Sequence, residues 1–354
     1  MDYEKFKESV KEDLGKMLKT RGLTVNIQEH HMEKLNSSYD ALTITPEDSN
    51  IGVNANLSAM YSAVEDGQSY SKMLTSAVNK ITEGLRNTPN VDIQDLTNYE
   101  VMKDKLSIDV VSAERNAEML LNIPHERIED MAVVYRLVLD KNDSGNGTVL
   151  ITNKLMEQFG VTKEQLHADA MLNAPEIRPS EIRGMSEVLS EIMGVEMPPG
   201  MDTQDEKMFV ATVPDKIHGA GVIAYPNFFE EAAEKIGGDY YVLPSSIHEV
   251  LLVKDNGDMS VKDLEAMVRD VNETQVAPEE QLTDHVYHYD CKEHVFEMAD
   301  KYESRLAEKE AEGRDSDKDS LLGNLKAKKE EVAKEVSDKT SKEVKNKSRE
   351  GETL

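Results

Sequence analysis

The sequence predicts an α+β protein of two subdomains, each a small, mostly antiparallel sheet with helices packed on one face, plus a disordered charged C-terminal tail. Three observations carry this expectation. Runs rich in β-branched residues flank turn chemistry, as in "DMAVVYRLVLD" and "GTVLITNKLM" around "KNDSGNG", and read as hairpins. Punctuated amphipathic helices separate these runs. After about Lys301 the chain is dense in Lys, Glu, Asp and Ser, and has no aromatic beyond Tyr302. Burial there cannot offset the ~1–2 kcal/mol per residue that ordering backbone costs, which predicts disorder or a lone exposed helix. The expected divisions are an N-terminal subdomain 1–174, a bridging segment 175–207, a C-terminal subdomain 208–300 and the tail 301–354.

In order along the chain, residues 3–18 read as a helix with Phe6, Val10, Leu14 and Met17 on one face. "LTVNIQEH", "YDALTITPED" and "IGVNANL" read as strands. Tyr61–Leu85 has helical spacing interrupted at Gly67, with Met73, Ala77, Ile81 and Leu85 in one stripe. Residues 87–100 form a polar connection. "VMKDKLSIDVVSAERNAEMLL" reads as a short strand, then a helix ending near Pro124. "TKEQLHADAMLNA" is a helix opened by Thr162, with Gln165 at the capping-box position. Residues 175–207 contain Pro175, Pro179, Pro198 and Pro199 around a helical patch at Ile182–Met193. "MFVATV" and "AGVIAY" read as a second hairpin. Asn227 opens a helix that Gly237-Gly238 ends, "DYYVL" is a strand, and Ser260 opens the next helix. "DHVYHYD" and "EHVFEMA" read as a last hairpin.

The charge balance is 41 Lys+Arg against 69 Asp+Glu, a net of −28. Residues 301–354 hold 14 of each sign, so the whole excess lies in residues 1–300. Such a body repels phosphate backbones, which argues against a nucleic-acid partner, and attracts a cation or a basic protein surface. The single cysteine, Cys291, leaves no internal disulfide and fits a reducing cytosol. No apolar run approaches the ~20 residues that span a bilayer, and the charged N-terminus lacks a signal-peptide core, so no membrane partner is expected.

The stretch "DYYVLPSSIHEVLLVKD", residues 239–255, sets two serines, a histidine and a glutamate between apolar runs. Ser246 and Glu249 satisfy the S-x-x-E capping spacing, so the economical reading is a capped reversal after Pro244. A serine hydrolase would need a sharp nucleophile elbow, and G-x-S-x-G is absent. Serine and histidine two or three residues apart are poorly placed for proton transfer, because triads draw on separate elements. A pocket here would be lined by Tyr225, Tyr240, Ser245, Ser246, His248 and Glu249.

Other templates fail on spacing or context. The His-Glu pairs at 125 and 248 lack the second histidine of a zincin, since Glu129 and Leu252 stand there. His285, His288, Cys291 and His294, spaced by three, form the best metal-like set, but strand geometry sends such positions to alternate faces, so no metal or other cofactor is expected. Asp140, Asn142, Ser144 and Gly145 imitate a calcium loop whose twelfth ligand would be Ile151. "GAGVIA" matches a relaxed dinucleotide pattern but is read as strand, where that pattern needs a following helix. Ser69-x-x-Lys72 lacks the companion motifs of penicillin-binding proteins.

"VLITNKLMEQFGVTKEQLHADA", "IHGAGVIAYPNFFEEAAEKIGGDYYVLPSSIHEVLLV" and "QVAPEEQLTDHVYHYD" resemble a clostridial family, the domain of unknown function 5688, over most of residues 1–295. Residues 218–253 carry the likeness most specifically, and the tail departs from it. The strand-"TN"-helix and "LPSSIHEV" pieces are faintly similar to another, bacillar, family. The resemblance implies a bacterial cytosolic protein and, because such families travel with mobile-element cargo, an accessory or regulatory role; it implies no activity. Residues and resemblance together point to a binding or regulatory module without catalysis, partnered by another protein through the acidic body or charged tail. The alternative is a small hydrolase-like enzyme with a pocket around residues 244–249.

Overall fold

The computed structural model describes residues 2–34, 36–47, 49, 52–87, 96–142, 145–194, 206–311 and 328. The chain divides into two units, Met1–Phe296 and Glu297–Leu354. The class is α+β with antiparallel sheets, as the sequence predicts. Unit 1 holds three sheets, because residues 25–56 form a sheet of their own.

In the first sheet β1 (Val25–Lys34) pairs antiparallel with β2 (Ser37–Pro46), and β2 pairs with β3 (Val53–Asn56). Helix α1 (Tyr3–Thr20) starts at Asp2, whose carboxylate accepts the Lys5 amide at 3.1 Å. It lays Phe6, Val10, Leu14 and Leu18 against Leu42 and Ile44 of the sheet. Helix α2 (Leu57–Glu65) and α3 (Tyr70–Arg86) complete this core with Leu57, Met73, Val78 and Ile81. The break at Gly67 falls between them. The expected stripes drift by one position at Leu18 and Val78, the drift a 3.6-residue period imposes. At the β1–β2 reversal Asn36 adopts φ 57°, a left-handed conformation asparagine tolerates. Its side chain donates to the Glu279 and Gln281 carbonyls at 3.1 and 2.7 Å, and it exchanges two 2.7 Å bonds with Asn116.

After the short α4 (Tyr99–Met102), the second sheet runs β4 (Leu106–Ser112), β6 (Met131–Asn142), β5 (His125–Ile128), with β7 (Gly145–Leu150) also on β6. The hairpin predicted around "KNDSGNG" is β6–β7; residues 143 and 144 of its turn lie outside the described residues. Helix α5 (Ala117–Leu120) follows β4. Helices α6 (Asn153–Phe159) and α7 (Lys163–Ile177) follow β7, with Thr162 accepting the Gln165 amide at 3.2 Å as expected. Every residue of β4 is buried, with α7 and the 3-10 helix Gly219–Ala224 packed on it.

The third sheet has the order β13-β12-β10-β11-β9-β8: β8 (Glu181–Gly184), β9 (Met208–Thr212), β10 (Tyr240–Leu243), β11 (Val250–Lys254), β12 (Tyr287–Asp290) and β13 (Val295–Met298). The last hairpin appears as predicted. The bridging segment contributes β8 and α8 (Met185–Met193); its residues 195–205 lie outside the described residues. Helix α9 (Phe228–Ile236) stacks Phe229 on Tyr289 and Phe296, with centroids 5.2 and 4.5 Å apart. Asn227 does precede α9, but in a left-handed conformation without a side-chain cap. Ser260 caps α10 (Val261–Thr274), accepting the Asp263 amide at 3.2 Å.

The expected "MFVATV"/"AGVIAY" hairpin is corrected. β9 pairs with β8 and β11, while 219–224 is the buried 3-10 helix. Glycine is the reason. A Cβ on Gly221 would stand 2.8 Å from the Ile108 carbonyl oxygen, and one on Gly219 2.4 Å from that of His248. Only bare backbone lies this close to β4 and β9.

In unit 2, residues 299–311 are helical, and Arg305 pairs with Glu297 at 2.6 Å. Apart from Lys328, the predicted disordered or lone-helix tail beyond 311 lies outside the described residues. Among the described residues no helix is long and apolar enough to cross a membrane.

Candidate functional site

The site begins with one carboxylate inside β4. In "LSIDVVS" Asp109 is 1 % exposed. Strand register gives it a partner: Asp109 faces Val134, so Arg136, two residues on, is its diagonal neighbour on the same face of the sheet. The Arg136 Nε donates to Asp109 Oδ2, and Nη1 donates to Thr148 Oγ1 at 3.2 Å. A second guanidinium, Arg178 at the end of α7, brings Nη1 to 3.9 Å from Asp109 Oδ1 and donates Nη2 to Asp215 at 2.8 Å. A buried carboxylate between two cations is stable only as a set, since removing one partner leaves an uncompensated charge.

His218 closes the set. It precedes the 3-10 helix at φ 54°, and its Nδ1 stands 3.4 Å from Asp109 Oδ2, slightly long for a hydrogen bond. Its backbone amide donates to His248 Nδ1 at 3.2 Å, and the two rings meet edge to face with centroids 5.7 Å apart. In a neutral His248 ring that bond places the proton on Nε2, which lies 3.4 Å from Glu280 Oε1. Burial pushes the His218 pKa down; Asp109 opposes this, while Arg136, His248 and Arg178 reinforce it. His218 is therefore a neutral imidazole near pH 7.

Arg136, His218, His248 and Glu280 line one polar cleft of about 840 Å³, walled by the β1–β2 hairpin, the start of α2, β7 and residues 279–280. Asn36 ties the hairpin tip to the 279–281 wall. Such a floor, with cationic donors and imidazoles held by buried partners, can bind an oxyanion and can accept a proton.

Of the six residues expected around 244–249, His248 alone lines this cleft. Residues 244–249 join β10 to β11, so this is a chain reversal between strands. Ser246 accepts the amide of His248, two residues on, at 3.0 Å; the S-x-x-E spacing expected the residue three on. Ser246 is buried, and neither Ser245, Ser246 nor Glu249 lines the cleft. His248 does. Tyr225 lies beneath, its hydroxyl donating to the Arg178 carbonyl at 2.9 Å, with its pKa pushed up to about 12, mainly by burial. Tyr240 is fully buried and donates to the Phe229 carbonyl at 3.1 Å.

The histidine/cysteine series disperses onto separate partners. His285 Nδ1 is 2.9 Å from Asp130, His288 Nε2 is 3.1 Å from Asp255, and His294 Nδ1 is 3.5 Å from Glu230. The Cys291 amide donates to Asp239 at 2.8 Å. Among the described residues no group of three or more His, Cys, Asp or Glu is arranged to hold a metal ion.

Asp109, Arg136, Arg178, His218 and Glu280 escaped the sequence reading. A signal existed for two of them: an aspartate inside one apolar strand and an arginine inside the next, "LSIDVVS" and "VVYRLVL", form a pair whose members need each other.

No curated protein and no solved structure matches the chain. A family described as a family of unknown function, DUF5688, matches residues 3–291. With the body and its cleft inside that span, the chain belongs to the DUF5688 family.

Proposed function

We propose that the protein is a binding module of the bacterial cytosol, accessory or regulatory in role, whose cleft takes a compact ligand bearing an oxyanion. The observation that carries this reading is the convergence of Arg136, His218 and His248 on one polar cleft. Arginine has five donors and spends Nε on Asp109 and one Nη1 proton on Thr148, which leaves guanidinium protons for a ligand. The single cysteine supports a reducing compartment. The acidic body supports a basic protein surface as partner rather than a nucleic acid.

Isothermal titration of the full chain with inorganic phosphate tests the ligand reading, with chloride at equal ionic strength as control. Saturable 1:1 binding that weakens at least about tenfold in Arg136→Lys, which cannot reproduce a guanidinium fork, supports it. Heat of dilution alone in the wild-type protein rejects it.

A second reading, a hydrolase-like enzyme, is favoured by one specific contact, the buried Asp109 carboxylate behind the His218 imidazole. It does not use Ser246, whose hydroxyl is buried and serves the His248 amide.

A further inference from the structure

We infer that His218 is the general base of a phosphoester hydrolase site, with Asp109 orienting its ring and Arg136 and the His248 Nε2–H receiving the phosphoryl oxygens. This rests on the reading of the cleft as an oxyanion site and adds a chemical step to it. Two histidines line the cleft with their rings edge to face. His218 Nδ1 is buried and faces Asp109, so Nδ1 carries the proton of the neutral ring and Nε2 keeps its lone pair. A quarter of the His218 side chain is exposed and the residue lines the cleft, with Nε2 the ring nitrogen not turned to Asp109. His248 accepts a backbone amide at Nδ1, so its Nε2 donates. One ring thus accepts a proton where the other supplies a donor.

The substrate class follows from the donor set. A guanidinium, Lys34 and an imidazole N–H beside Glu280 line the same cleft, whose wall also carries Glu33 and Glu279, and several donors of this kind suit a group with several charged oxygens. In the reaction, His218 Nε2 takes a proton from water while the water oxygen bonds to phosphorus. The phosphorus–oxygen bond to the alcohol breaks, and the imidazolium returns its proton to the departing oxygen. Water is consumed, and an alcohol and a phosphate with one ester bond fewer are released. The titratable and charged groups facing His218 are Asp109 on β4, Arg136 on β6, Arg178 after α7 and His248 before β11.

The left-handed backbone of His218 selects the test. Asparagine tolerates φ near 54° and cannot act as a base, so His218→Asn keeps the turn and removes the chemistry. The full chain and this variant are assayed for nitrophenolate release from p-nitrophenyl phosphate and bis(p-nitrophenyl) phosphate, and titrated with inorganic phosphate. Wild-type hydrolysis of either ester, reduced at least about 100-fold in His218→Asn, is the expected result. His248→Gln, which keeps an N–H donor, retains more activity than His248→Ala. If phosphate binds but neither ester turns over, or His218→Asn is as active as wild type, the base assignment fails and the binding reading survives. Absence of both binding and turnover overturns both. Hydrolysis of p-nitrophenyl acetate alone rejects the phosphoester class.

Discussion

The imidazole of His218 stands 3.4 Å from the carboxylate of Asp109, a group 1 % exposed inside the fully buried strand β4. That contact joins two distant parts of the sequence, and the rest of the site is arranged to keep it. Arg136 and Arg178 compensate the carboxylate from one side, and Gly219 brings the His218 backbone close enough from the other. Substituting Asp109→Asn leaves two cations facing a neutral amide. The expected loss of folding stability is about 3–5 kcal/mol, the cost of breaking a buried ion pair from one side. Urea unfolding measures it. A loss under about 1 kcal/mol would show that the arginines are solvated and that the set is not a buried unit.

Gly219→Ala tests the approach of the 3-10 helix. The added methyl would meet the Thr212 hydroxyl and the His248 carbonyl oxygen, and Thr212 Oγ1 already donates to that oxygen at 2.8 Å. Overpacking of this kind costs about 1–3 kcal/mol. The same change displaces His218 and His248 together, so phosphate affinity falls with stability. Gly67→Ala is the contrasting control for position: nothing lies within 4 Å of its Cβ, and only its φ of 97° is strained, so the cleft keeps its affinity.

The elements of the fold were legible because their signals are local. Thr162 and Ser260 each accept the amide three residues on, and the apolar stripes of α1 and α3 follow the helical period. The 3-10 helix at 219–224 was misread because "AGVIA" has the composition of a buried strand. What decides its conformation is the distance from Gly221 to Ile108, more than a hundred residues away. The site was hidden for the same reason. Asp109, Arg136, Arg178, His218 and His248 come from five separate segments, and no spacing rule connects them. His248 was legible as a candidate pocket residue at a reversal, but not as a neighbour of His218. Its role in the cleft comes from His218, whose backbone amide fixes its tautomer.

Asn36 fastens the β1–β2 reversal to the far wall of the cleft. Asn36→Gly keeps the left-handed backbone and its N–H bond to Asn116, and removes the side-chain bonds to Asn116, Glu279 and Gln281. About 1–3 kcal/mol of stability goes with them, since the buried Asn116 amide loses one acceptor and the Glu279 and Gln281 carbonyls lose their donor. Amide hydrogen exchange at Ile247 and Leu282, whose N–H groups bond across this wall, accelerates in the variant. Unchanged exchange at those two amides would mean that the hairpin tip does not brace the wall.

His288 supplies a prediction about pH. It is fully buried, paired at Nε2 with Asp255 and set edge-on against Tyr241 at 4.9 Å. Burial pushes its pKa below the usual histidine value, with Asp255, Asp239 and Asp290 opposing; His218 is lowered in the same sense. A lowered histidine pKa means that the unfolded chain binds the proton more tightly than the folded one. The stability due to the neutral rings is therefore present above the unfolded value of about 6.5 and is lost as pH falls through the lower folded values. Asp130 behaves as a carboxylate of depressed pKa: burial works against it, but hydrogen bonds from Tyr287, His285 and Thr283 hold it down. Its contribution is present above about 3.9, the unfolded value, and disappears only below that, so the two losses separate along the pH axis. Urea midpoints collected from pH 8 to pH 3 should fall in a first step below about 6.5, and His288→Gln should flatten part of that step while leaving the more acidic one in place. A first step of the same size in the variant would assign it to other groups.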